Sequence, residues 1–181
     1  VAMSLDVLSS AVNDIGLNVN VDTNGLNVEE IPDTVKPVIL GARLNFSDGF
    51  LEIFASEHLD ITPKTNVNLA RLFLCNTTKS EQPKTSLVGS TIHSSRDERV
   101  IYITLSESVR ARAIVFSGTS GGDGSALLLD VDAGAVIDAS GNEIAMSQGI
   151  NVYETADTIP PIAYLGGMNL DAKIGILTIH T

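Results

Sequence analysis

Apolar residues along this chain come in short runs broken by turn formers, a spacing that predicts strands rather than long helices. Pro37-Val38-Ile39-Leu40-Gly41-Ala42-Arg43-Leu44 follows a proline-marked junction and predicts a first strand. Asn45-Phe46-Ser47-Asp48-Gly49 predicts a turn, because Asp-Gly supplies the left-handed backbone of a tight reversal, and Phe50 to Phe54 returns as the second strand. Asn68 to Leu74 predicts a buried strand and Thr77 to Lys84 a polar loop containing Pro83. Val100 to Leu105 and Ala111 to Phe116 both have strong β character. A glycine-rich loop, Gly118 to Gly124, leads into Ala126 to Leu129, and the last strand is Ile150 to Tyr153. About seven strands at this spacing predict an all-β Greek-key sandwich. One stretch reads differently: Leu5, Leu8, Val12 and Ile15 stand at helical spacing. Their counterparts further along, Leu129, Asp132, Val136 and Ala139, put an aspartate in the stripe, so no more than a short helical turn is expected before the final strand.

Those counterparts belong to an internal repeat. Shifting the chain by 124 positions lays Leu5-Asp6-Val7 on Leu129-Asp130-Val131, Ala11-Val12 on Ala135-Val136, Asp14 on Asp138 and Asn18 on Asn142. Gly25 then meets Gly149, Asn27-Val28 meets Asn151-Val152, Asp33-Thr34 meets Asp157-Thr158, and Asn45 meets Asn169. After a two-residue gap, Gly49-Phe50-Leu51-Glu52-Ile53 lies on Gly175-Ile176-Leu177-Thr178-Ile179. The shared positions are apolar alternations and turn formers, which a common fold demands and a common active site does not. The expected organisation is the C-terminal part of a preceding repeat at 1–32, one complete repeat at 33–156, and the first strands of a following repeat at 157–181. A chain beginning at Val1 is expected to have a processed or truncated start. The alternative is that broken ends pair between subunits by strand addition.

Composition narrows the function classes. Hydrophobic residues make up 44% but aromatics only 4%, with no Trp, so the core is expected to be built of Val, Ile, Leu and Ala. A net charge of −11 repels phosphate backbones and anionic lipid, which argues against nucleic-acid partners. No apolar run approaches the roughly 18 residues of a membrane span. The single cysteine, Cys75, rules out an internal disulfide framework and reads as a small buried hydrophobe at the end of a strand.

The junctions Asp33-Thr34-Val35-Lys36-Pro37 and Asp157-Thr158-Ile159-Pro160-Pro161, the run Gly49-Phe50-Leu51-Glu52-Ile53-Phe54-Ala55-Ser56-Glu57 and the turn Asp138-Ala139-Ser140-Gly141-Asn142 carry a likeness. In these the unit resembles the immunoglobulin-like repeats of large secreted adhesins, cell-surface proteins and extracellular fibrils of bacteria and algae. The resemblance implies an immunoglobulin-like Greek-key β-sandwich, tandemly repeated, in an extracellular or cell-surface filament whose partners are neighbouring copies of itself. The alternative function is an adhesin module that recognises a glycan or protein through its loops.

Chemistry-bearing candidates are few. Gly118-Thr119-Ser120-Gly121-Gly122 is one letter from the motif around a chymotrypsin-type serine, yet it lacks that motif's Asp, and His58 and His93 stand in no matching context. We expect no catalytic residue and no enzyme. The run Gly121-Gly122-Asp123-Gly124 brushes a calcium-binding nonapeptide that works only in stacked copies, and it reads as a loop. Calcium at the domain junctions is the one cofactor expectation, with Glu30, Asp33, Glu57 and Asp60 as its candidate ligands, since hard cations gather several carboxylate oxygens. Two sequons, Asn45-Phe46-Ser47 and Asn76-Thr77-Thr78, are expected in exposed turns as sites of covalently attached glycans.

Overall fold

The computed structural model describes residues 3–77 and 83–162 and, as backbone, the strands Met168–Asp171 and Ile176–Ile179. It divides into two compact units, Val1–Thr34 and Val35–Thr181. The structure is mostly β-sheet.

The first unit is a hairpin of β1 (Ser4–Val7) and β2 (Thr23–Asn27) joined by a looped connection. The second contains β3 (Ile39–Asn45), β4 (Phe50–Asp60), β5 (Leu72–Cys75), β6 (Thr85–Ser86), β7 (Thr91–Ile92), β8 (Glu98–Thr104), α1 (Glu107–Val115), β9 (Leu128–Val131), β10 (Ile137–Asp138) and β11 (Ser147–Thr155). A separate antiparallel hairpin follows, β12 (Met168–Asp171) with β13 (Ile176–Ile179).

Strands of the second unit form one path in the order β6-β5-β9-β11-β3-β4-β8-β7, with β10 added beside β4. All neighbours are antiparallel except β11 and β3, which run parallel with Val152 opposite Ala42 and Thr155 opposite Asn45. The path curls, so residues from both of its halves meet. Leu44, Leu51, Ile53, Ile101 and Ile103 from one half share a buried cluster with Leu72, Leu74, Leu129 and Val131 from the other. Period-two alternation explains who points inward along most of β3: Ala42 and Leu44 are buried while Arg43 is exposed, and the irregularity between Ile39 and Gly41 resets the phase so that Ile39 is buried too. Each fully buried Leu or Ile contributes about 1.5–3 kcal/mol over an exposed one, which makes this cluster the main stabilising term of the fold.

Two sequence expectations need correction. The predicted strand Ala111 to Phe116 lies within and just past α1 (Glu107–Val115). Glu107 and Arg110 pair at i,i+3, and Val109 and Ala113 place one buried stripe at i,i+4, a helical pattern that the β-branched Ile114-Val115 pair concealed. The helical turn allowed around Leu5 to Ile15 is replaced by β1 and a run of tight turns. Strands β6, β7 and β10 have only two residues each and carry no periodicity to read. The predicted loop Thr77 to Lys84 falls largely on residues 78–82, outside the described residues.

Positions 124 apart adopt the same backbone arrangement in the two units. In β1 and β2, Ser4 faces Asn27, Leu5 faces Leu26 and Val7 faces Thr23; in β9 and β11, Leu128 faces Asn151, Leu129 faces Ile150 and Val131 faces Ser147. The bulge recurs too. Gly25 at φ 70° donates to Asp6 Oδ1 at 2.7 Å, and Gly149 at φ 71° donates to Asp130 Oδ1 at 2.8 Å, a left-handed position that suits glycine. Further on, the isolated bridge Asn13 to Val19 matches Ile137 to Glu143, and the Asp14–Asn18 turn matches Asp138–Asn142 bond for bond.

The β12–β13 hairpin likewise reproduces the β3–β4 register, with Asp171 opposite Ile176 as Asn45 is opposite Phe50. The counterpart of Asn45 is therefore Asp171 and not Asn169. A shift of two residues leaves every side chain on the same face of a strand, so letter matching alone does not reveal where the offset enters.

Candidate functional site

A dense polar constellation sits where β11 ends and the segment Asp157-Thr158-Ile159-Pro160-Pro161 begins. Arg110, on α1, is its centre. Its Nε and Nη2 donate to Glu107 Oε2 and Oε1 at 2.8 and 2.9 Å, while Nη1 donates to Asp157 Oδ2 at 2.7 Å and to the Phe46 carbonyl at 2.6 Å. Only a rigid guanidinium fork can hold a carboxylate bidentately and reach two further acceptors. One helix, the β3–β4 turn and the exit segment are thereby tied to one side chain.

Ser47 adds a second tie. Thr158 N donates to Ser47 Oγ at 3.1 Å, Ser47 Oγ reaches the Ala156 carbonyl at 3.4 Å, and Phe46 N donates to the Thr155 carbonyl at 2.9 Å. Asp157 also accepts from Ile159 N at 3.0 Å, closing an Asx turn just before the two prolines. The result is a cleft of about 410 Å³ lined by Ser47, Glu107, Arg110, Asp157, Ile159, Pro160 and Pro161. Its chemistry is mechanical: it fixes the path of the chain from the end of β11 into the double proline.

Glu107 first, and Asp157 next, raise the affinity of Arg110 for its proton above an already high value. The Ile159 amide first, and Arg110 next, hold the Asp157 carboxyl below its usual range. Asp97 is held down in the same direction by the Thr62 hydroxyl and the Ile61 and Thr62 amides. At Asp138 burial alone would raise the value, but hydrogen bonds from the Asn142 side chain and backbone and from Ser140 outweigh it and lower it. Depressed folded-state values mean that the unfolded chain binds more protons in acid. Their stabilisation is present above the ordinary carboxylate value near pH 4 and is lost as pH falls through the lower folded values. Urea midpoints are therefore expected to be flat from pH 7 to about 5 and to drop steeply below about 4. A midpoint rising on acidification would refute this.

Sequence reasoning nominated the Asp157–Pro161 junction but missed Arg110 and Ser47. The signal for Arg110 was Ser106 followed by Glu107 and Arg110, a helix start with an i,i+3 ion pair. Replacing Arg110 by Met is expected to lower stability by about 1–2 kcal/mol, chiefly by orphaning the Phe46 carbonyl. An NMR titration of Asp157 in that variant should move toward the ordinary carboxylate value. Equal stability with an unmoved Asp157 would remove the latch role.

Of the four calcium candidates, Glu57 and Asp60 are half-buried on β4, whereas Glu30 belongs to the first unit, where it accepts from Met3 N at 2.8 Å, and Asp33 is exposed near the end of that unit. A carboxylate oxygen of Glu57 lies within 4.8 Å of one from Asp138, which was not nominated and whose oxygens are already engaged by Ser140 and Asn142. Both sequon asparagines are half-buried at strand ends rather than in open turns: Asn45 closes β3 and accepts from Ser47 N, and Asn76 follows β5 and donates to Asp123. Strand pairing carries each to the sheet margin and enlists its side chain in a turn. Thr78 of the second sequon lies outside the described residues.

Ser120 is exposed in the loop after α1, while His93 Nε2 lies 2.9 Å from Thr104 Oγ1 and its ring flanks Phe50. His58 is exposed on β4. Cys75 is buried, and burial first, with Asp130 next, pushes its thiol up, which keeps it protonated and weakly nucleophilic. Among the described residues no helix is long and apolar enough to cross a membrane. No protein-family model, curated protein or solved structure matches the chain.

Proposed function

We propose that this chain is a structural segment of an extracellular or cell-surface filament, in which immunoglobulin-like Greek-key sandwiches follow one another head to tail. One observation carries the proposal: residues 124 apart share strand register, bulge and turn bonds, from Ser4 with Leu128 to Asn27 with Asn151. Strand order supports the sandwich type. The first strand β3 pairs with β4 and, in parallel, with the last strand β11; β8 and β7 extend one side, and β9, β5 and β6 extend the other. Immunoglobulin-like domains place their strands in this order. The Arg110 latch suits a bead that passes tension to its neighbour without a slack linker, and the double proline stiffens the exit further. A net charge of −11 keeps such a fibre soluble and discourages lateral association.

An antibody raised against residues 1–181 should decorate native filaments at one regular spacing in electron micrographs. Single-molecule stretching of a polymer of the 33–156 unit should give equal steps, each releasing at most about 450 Å of chain. Decoration of isolated particles, or glycan-array binding by the single unit, would replace the fibre with an adhesin.

A further inference from the structure

The first unit exposes at its surface what the second unit buries at matching positions. Leu5 is 52% exposed and Leu129 fully buried, Met3 is 57% exposed and Leu127 fully buried, and Val12 is 62% exposed against 2% for Val136. Apolar faces of this extent mark places where another protein surface sits. The second unit displays what does the covering. β5 runs antiparallel along the outer edge of β9 with Leu74 opposite Leu129, and β3 runs parallel to the end of β11 from Val152 to Thr155. Moved back by 124 positions, those two edges are the outer edge of β1 and the stretch Val28 to Ile31. Among the described residues β1 pairs with β2 alone, and residues 28–31 are in no strand.

We infer that residues 3–31 are a preformed docking surface for the strands of a preceding sandwich unit on the same polypeptide. A strand of the Leu72-Phe73-Leu74-Cys75 kind would lie antiparallel to Ser4–Val7, and a strand of the Ile39–Asn45 kind parallel to Val28–Ile31. The inference rests on the repeat reading above and adds which edges mate and in which sense. The surface is organised in advance: the Asp6–Gly25 bulge and the Asp14–Asn18 turn are in place in the uncovered hairpin, so less ordering entropy is lost on docking. A second copy is the weaker donor. Its β3 and β5 are already covered by its own β11 and β9, and releasing them would strip the burial from Leu129 and Val131.

The test places a copy of residues 33–124 directly ahead of Val1, which completes a unit of the 124-residue period with residues 1–32 as its end. A control carries residues 125–156 in place of 1–32, so that its added unit is the central sequence throughout. Hydrogen exchange is followed at residues 4–7 and 23–31, and thermal unfolding is followed alongside. In the original chain these amides should exchange quickly. In the extended chain they should slow at least 100-fold, toward residues 128–131 and 147–155, and a second cooperative transition should appear. Two transitions in the control with fast exchange in the test chain would overturn the docking surface alone. One transition in the control would overturn the 124-residue unit and the filament reading with it. Protection in the original chain that grows with concentration, with dimer mass in sedimentation, would overturn the in-line donor and assign the face to a second copy.

Discussion

Leu129→Ala is expected to lower the unfolding free energy of the second unit by about 3–4 kcal/mol, whereas Leu5→Ala at the matching position changes it by less than about 0.5 kcal/mol. The two leucines occupy the same register position in the two hairpins, Leu129 opposite Ile150 and Leu5 opposite Leu26. Backbone conformation and strand propensity are thereby matched, and the difference isolates burial. Leu129 is enclosed beside Leu74, so its truncation forfeits transfer energy and leaves a cavity; Leu5 is 52% exposed and leaves none. Urea unfolding of both variants measures the contrast directly. Equal losses would mean that the first hairpin is covered in solution, and negligible losses in both would mean that the β5–β9 contact is not part of the core.

Gly122→Ala is expected to destabilise the second unit by about 2–4 kcal/mol, a large effect for adding one methyl group near a surface loop. A Cβ at this position would stand 2.1 Å from the Ser117 carbonyl oxygen, 2.6 Å from that of Ile114 and 2.6 Å from Ser117 Oγ. Two of these atoms are backbone at the end of α1, and neither can retreat without breaking the helix terminus. The loop would open instead, giving up the bonds from Asp123 N to the Val115 carbonyl and from Gly124 N to the Ser117 carbonyl. Exchange of the Asp123 and Gly124 amides should accelerate along with the lowered urea midpoint. A variant of parent stability would show that the loop packs against α1 less closely than the structure places it. The run Gly118 to Gly122, which in sequence brushes a catalytic motif, is thus a steric requirement: glycine stands where loop and helix backbone meet.

Much of the fold was legible because strands announce themselves one at a time. The alternation of Ala42 and Leu44 against Arg43, the Asp48-Gly49 reversal and the run Val100 to Leu105 each carry a local signal that needs no partner. Even so, β4 extends to Asp60, beyond the predicted end at Phe54, because β10 pairs with Asp60 and Leu59. Helix α1 was misread because Ile114-Val115 suggests a strand, whereas the Glu107–Arg110 pair and the Val109–Ala113 stripe decide otherwise.

Reading the chain by itself gave the all-β class and the Asp48-Gly49 reversal, and the likeness between residues 124 apart, since each is written in neighbouring residues or in similarity at fixed distance. The tertiary structure decided which strands adjoin, that β3 runs parallel to β11, and that Arg110 and Ser47 grip Phe46, Asp157 and Thr158. It also decided that Leu129 is buried while Leu5, 124 positions earlier, lies open. These are contacts between residues as much as 111 positions apart. Such contacts depend on packing and on closing long loops, and no local propensity encodes the outcome of that competition.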